Sequence, residues 1–204
     1  MLTSLILCCE QDNDAAAIEQ QIFTSLLPEM IEAVYKDPAI YLNFPEVSKR
    51  GKIDSEHITT LTSRRGKNEK IIVFISDILN QPDKNDLESI QQIIKTNKLN
   101  IHISADKLPH KLVHRIYDNK RFSFKYSPEP SNDDSINGII YTDGINIFHI
   151  SVSFSKIQFD ENKEYGIMTA IYDCRPKCGI GYVIVVKKES KGWRIYKVFD
   201  TWVS

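Results

Sequence analysis

The segment Ile180–Lys188 constrains the fold more than any other part of the chain. In an extended backbone Ile180, Tyr182, Ile184 and Val186 fall on one face, Val183 and Val185 on the other. A strand that is apolar on both faces belongs inside a sheet and must be covered on both sides. Its neighbours Tyr165–Cys174 and Trp193–Val203 also read as strands. The link before it is the turn Cys174-Arg175-Pro176-Lys177-Cys178-Gly179, and the link after it is the polar turn Glu189-Ser190-Lys191-Gly192. Links this short join antiparallel neighbours.

The strand before Tyr165 changes phase. Phe148, Ile150, Val152 and Phe154 occupy even positions, while Ile157 and Phe159 are odd. A side-chain period of two cannot hold both sets on one face, so the spacing predicts a bulge near Ser155-Lys156. Four consecutive antiparallel strands follow, as a bent meander.

Upstream, Ile18, Ile22, Phe23, Leu26, Leu27, Met30, Ile31 and Val34 mark one face of a helix opening at Asp14, with Pro28 as a point of kinking. Asp83-Lys84-Asn85 introduces a second amphipathic helix through Leu87, Ile90, Ile93 and Ile94. Ile71–Ile75 reads as a short buried strand, Leu99–Ser104 as another strand, and Leu108–Ile116 as a short helix. Residues 36–70 and Ser127–Asn137 read as connections, from their Pro, Gly, Ser and Asp content. The expected fold class is α+β: a bent antiparallel sheet whose C-terminal four-strand meander packs against N-terminal helices, forming one domain over residues 14–204.

Charge narrows the function. The 26 basic and 27 acidic residues give a net charge of −1, and the basic residues are scattered, so nucleic acid is not an expected partner. No apolar run approaches the ~20 residues that span a bilayer. Phosphate-loop, dinucleotide and nucleophile-elbow patterns are missing; Gly179-Ile180-Gly181 is too short a match to any of them. No cofactor is expected.

The N-terminus bears on location. Met1-Leu2-Thr3-Ser4-Leu5-Ile6-Leu7-Cys8-Cys9 is apolar and is followed by the acidic spacer Glu10-Gln11-Asp12-Asn13-Asp14. It resembles the tail of a bacterial lipoprotein signal, in which an apolar stretch leads to a lipid-accepting cysteine. Cys9 follows the small Cys8 and fits the size rule; Cys8 follows the larger Leu7 and is the alternative. A start upstream of Met1 would supply the basic region such signals carry. Residues 1–13 are then the remnant of an export signal and tether. The other reading is a short N-terminal strand or tail with incidental cysteines.

Three further groups could carry chemistry. His110 and His114 would share a face of a helix, but Lys111 stands where a zinc-protease helix has Glu and no third ligand is indicated, so no metal site is expected. Cys174 and Cys178 frame a turn. They can form a disulfide, remain thiols, or serve metal or redox chemistry with Arg175, Lys177 and Lys187 lowering the thiol pKa. Tyr165, Tyr172, Tyr182, Trp193, Tyr196 and Trp202 crowd the meander as core or cross-strand pairs, or as the lining of a ligand concavity. The carboxylates Asp160, Glu164, Asp173 and Asp200 lie near strand ends with nothing to fix their separation.

The run from Phe159-Asp160-Glu161-Asn162-Lys163 through Cys174-x3-Cys178-Gly179-x-Gly181-Tyr182 and Gly192-Trp193-Arg194-Ile195 to Thr201-Trp202-Val203-Ser204 resembles the C-terminal region of uncharacterised bacterial envelope lipoproteins. More loosely, a helix leading into a bent meander is similar to nuclear-transport-factor-2-like and cystatin-like folds, whose curved sheet wraps a helix and can leave a pocket. The resemblance implies a lipid-anchored protein of the bacterial envelope. The expected function is a non-enzymatic, membrane-tethered protein that binds a partner or small ligand. The alternatives are a small-pocket enzyme on the same fold and a soluble cytosolic immunity or inhibitor protein. For an exported chain, Cys174 and Cys178 should be protected from thiol labelling in intact cells without reductant, and Cys174→Ser should cost on the order of 2 kcal/mol, because the closed loop is short. Two freely labelled thiols would remove the bridge.

Overall fold

The computed structural model describes residues 3–35, 71–103, 109–112, 118–127, 139–142, 145–173 and 179–203, with side chains described for all of these except 3–14, 110, 127, 139–142 and 145–149. Cys174, Cys178 and His114 lie outside the described residues, as do the expected connection 36–70 and all of the expected connection Ser127–Asn137 except Ser127, which ends a strand. The fold is α+β. Helix α1 (Thr3–Val34) and helix α2 (Lys84–Asn97) lie against a mixed, open sheet built from β1 (Ile71–Ser76), β4 (Phe122–Ser127), β5 (Ile139–Thr142), β6 (Ile145–Phe154), β7 (Gln158–Phe159), β8 (Tyr165–Asp173), β9 (Gly179–Glu189) and β10 (Gly192–Val203). A two-strand ribbon of β2 (Ile78–Leu79) and β3 (His110–Lys111) stands beside it.

The strand order is β10-β9-β8-β6-β1-β4, with β5 paired to β6 and β7 to β8. The meander is antiparallel, as its short turns require. At the other end β1 pairs parallel with both β4 and β6, so the sheet is mixed rather than antiparallel throughout. The chain between β1 and β4 carries α2, and a crossover of that length lets two strands run the same way.

The bulge falls where the change of phase puts it. Phe154 pairs with Ala170 and Gln158 with Ile167, a difference of one residue between the two ladders. Phe154 and Ile157 therefore both reach the same core despite their opposite parity.

That core lies under α1. Ile22, Phe23, Leu26, Met30 and Ile31 meet Val73, Ile75, Val152, Tyr172, Ile184 and Val186, all buried. The other face of the meander is covered by α2 and the segment after it: Ile90 and Ile101 bury against Ile167, Val183 and Val185, with Ile93, Ile94, Leu99, Ile103 and Phe199 around them. Strand β9 is thus covered on both faces, and every residue from Ile180 to Val186 is buried.

Three expectations are corrected. Helix α1 begins at Thr3 and passes Asp14, so Asp14 is interior and does not cap it; it is one helix through Pro28, as the unbroken apolar face implies. Of the expected strand 99–104, residues 99–103 are described and form a packed segment with one bridge, Ile101 to Asp160, although Leu99, Ile101 and Ile103 do share a side. The expected helix over 108–116 gives way to β3, because His110 and Lys111 pair with Leu79 and Ile78. A strand at His110 removes the helical spacing that would have set it on a face with His114.

Because Ile184 is fully buried at the middle of β9, Ile184→Ala should cost roughly 2–5 kcal/mol in chemical denaturation. A loss below about 0.5 kcal/mol would contradict the two-sided burial of that strand.

Candidate functional site

Among the described residues the buried acids are Glu19, Asp86 and Asp160, and two of them, Glu19 and Asp86, lie between a helix and the sheet. On the α1 side, Glu19 is buried and its Oε1 accepts the Ile157 backbone N–H at 2.6 Å. This contact joins the helix to the bulge and faces no opening. On the α2 side, a buried acid lies behind an open cleft.

Helix α2 starts at Asp83, whose Oδ1 accepts the Asp86 backbone N–H at 2.8 Å, a side-chain cap on a free helical donor. One turn of helix then carries Asp86 inward, on the same stripe as Ile90. Asp86 is only 6% exposed. Its carboxylate is hydrogen-bonded by the side chains of Thr169 on β8 and Trp202 on β10. Burial pushes its pKa above the usual aspartate value; the nearby Asp83 charge adds to that rise, and hydrogen bonds from Thr169, Trp202 and the Asp83 backbone N–H oppose it.

Trp202 reaches this position through a register shift. The pairing of β10 with β9 slips between Asp200 and Trp202, so that Trp202 stands opposite Gly181, on the face that also carries Val183 and Thr169. This is the second shift in β10, after one between Ile195 and Lys197, and without it Trp202 would stand opposite Ile180 and turn to the α1 side. The indole lies directly over Gly181, and a Cβ on that residue would fall inside the ring. Glycine is therefore the residue the close approach demands.

Outside this buried cluster the end of β10 and the first turns of α2 enclose a cleft of about 540 Å3, lined by Asp83, Asn85, Glu88, Ser89, Gln92, Thr201 and Trp202. Its ionisable lining is acidic, its other side chains offer amide and hydroxyl groups, and Trp202 supplies one aromatic wall. Of the aromatics singled out from the sequence, Trp202 is the one that lines this cleft. Tyr172 and Tyr182 belong to the core, as does Trp193, and Tyr165 meets Tyr196 edge-on on the surface.

Two other groups shift, both away from reactivity. Burial, with the Asp77 charge, pushes the Tyr126 phenol up to about 12. The exposed Lys187 amine is raised by its hydrogen bond to Tyr165 and that residue's charge, with its Nζ 5.1 Å from the Tyr165 ring centre. Each group thereby keeps its proton at neutral pH, where a base or nucleophile would need to lose it. Of the carboxylates near strand ends, Asp160 accepts the backbone N–H groups of Glu164 and Tyr165 at 2.7 and 2.9 Å, holding the turn before β8. Among the described residues no group of three or more His, Cys, Asp and Glu is placed to hold a metal ion, and no helix is long and apolar enough to cross a membrane. The chain matches no family model, no curated protein and no solved structure.

Gly181→Ala should force the indole off its seat and cost about 1–3 kcal/mol, the range for overpacking a filled site. A shift in tryptophan emission should accompany the loss, and an unchanged stability and spectrum would show that the ring has room to spare.

Proposed function

We propose that this chain is a non-enzymatic binding domain of the bacterial envelope, held to the membrane by lipid on Cys9 or, failing that, Cys8. Its ligand is a small polar molecule bearing positive charge, and the site is the cleft between α2 and the end of β10. The observation that carries the binding half is the cleft itself. Its volume of about 540 Å3 lies within the range of small-molecule sites, and Asp83 and Glu88 set its charge. Trp202 provides a wall of the kind that cations seek, worth ~0.5–2 kcal/mol depending on desolvation. Among the described residues the cleft is lined by no histidine, cysteine or lysine. The envelope half rests on the apolar Leu5-Ile6-Leu7 approach to Cys8-Cys9 and the acidic stretch beyond it. The cytosolic immunity or inhibitor reading lacks a comparable observation in its favour.

Two measurements test the two halves separately. For the site, the domain is heated with a panel of small amines, guanidines and neutral polar compounds. A cationic compound should raise its melting temperature, and Glu88→Gln, an exposed change on the cleft wall, should weaken that compound by about 3–10-fold, the worth of one partly exposed charge contact. A panel without effect, or a best ligand indifferent to Glu88, would remove the cleft from the proposal. For the tether, mass spectrometry of the N-terminal peptide from the membrane fraction should find an acylated cysteine. Unmodified protein in the soluble fraction would favour the cytosolic reading.

A further inference from the structure

Asp86 has a place in this molecule that binding at the cleft does not explain. It is an acid sealed between three elements: α2 carries it, β8 meets it with Thr169, and β10 meets it with Trp202, whose ring lies on Gly181 of β9. We propose that Asp86 is a proton-linked latch, whose protonation tightens the seat of α2 on the sheet and firms the Trp202 wall of the cleft. This inference concerns the wall and not its occupant, so it stands apart from any ligand.

The hydrogen-bond arithmetic allows both states. As a carboxylate, Asp86 accepts from the Thr169 hydroxyl, the Trp202 indole N–H and the Asp83 backbone N–H. As a carboxylic acid, its carbonyl oxygen has two lone pairs for the indole and the backbone N–H, which can only donate, while its new O–H donates to the Thr169 hydroxyl oxygen, since a hydroxyl can exchange donor and acceptor roles. All three partners can therefore be kept on taking up the proton. The balance is then set by what acts on the charge. Burial opposes it, because the site is only 6% exposed. Asp83, one turn away on the same helix, also opposes it. Among the described residues no cation acts on Asp86: β8 and β10 present Thr169 and Trp202 to it, neither of which titrates in the acid range, β9 presents Gly181, and Lys197 of β10 is held at the other end of α2 by Asn97.

The sign follows. A carboxyl whose folded pKa is raised takes up its proton more readily in the seated state than in the loosened one. Seating therefore gains as pH falls through the window between the ordinary aspartate value and the raised one, and loses again as pH rises through it. Asparagine at this position imitates the acid form, with its carbonyl toward Trp202 and its amide N–H toward Thr169.

Hydrogen exchange of the full-length chain reads the latch directly. From about pH 7.5 to about pH 4, after correction for intrinsic exchange, protection of the α2 amides from Leu87 to Asn97 should rise several-fold in the native sequence, and Asp86→Asn should hold the higher protection throughout. Asp83→Asn, which keeps a capping side chain but removes the neighbouring charge, should move the transition to lower pH. Emission from Trp202 in a Trp193→Phe background gives a second record and should titrate with the same midpoint. Should that background fail to fold, the exchange series stands on its own. Protection that is flat with pH in the native chain, or that changes equally in Asp86→Asn, would overturn the proposal.

Discussion

One extra residue between Phe154 and Gln158 holds the layers of this molecule in register. The bulge turns β7 over relative to β6, so Phe154 and Ile157 both enter the core under α1. It also frees polar groups that the surrounding elements use. Glu19 of α1 takes the Ile157 N–H, and the Lys156 N–H reaches the Asn80 carbonyl at 2.9 Å, just past β2. Ser155 Oγ accepts the Thr169 N–H at 2.9 Å from within β8. Thr169 in turn supports Asp86 of α2. A polar path thus runs from one helix layer, through the irregular point of the sheet, to the other.

The later of the two register shifts in β10, between Asp200 and Trp202, works by the same rule. A slip of one residue reverses the face to which every following side chain points. It delivers Trp202 to the α2 side, where the indole finds both Gly181 and Asp86. Bulges in an edge strand also discourage further strands from pairing there. The same device therefore shapes the cleft and guards the free edge of β10, whose exposed face carries Tyr196 and Lys197.

Burying two acids in a domain of modest size needs a compensating reason. Glu19 and Asp86 both occupy the apolar stripe of their helices, where an aliphatic side chain would pack without a desolvation cost. Each instead takes hydrogen bonds from a partner distant in sequence: Ile157 for Glu19, Thr169 and Trp202 for Asp86. These bonds are directional, whereas the surrounding Ile and Val contacts are not. They fix how each helix is rotated and slid on the sheet, which apolar contact alone leaves loosely specified.

The sequence by itself determined what depends on local periodicity. The two apolar faces of Ile180–Val186, the phase change near Ser155, the buried stripe of α1 and the start of α2 at Asp83 are all properties of neighbouring residues, and the fold follows them. A signal for the buried acids was also present: Glu19 precedes Ile22 and Phe23 by three and four residues, and Asp86 precedes Ile90 by four, which puts both on the apolar stripe. Tertiary structure alone decided the rest. The parallel placement of β1 between β4 and β6, the pairing of His110 with Leu79 in place of a helix, and the meeting of Asp86 with Trp202 each join segments far apart in the chain. Side-chain pattern specifies which face is apolar, but it carries no record of the partner strand, its direction or its slip. Those are set when the whole sheet closes its hydrogen bonds at once.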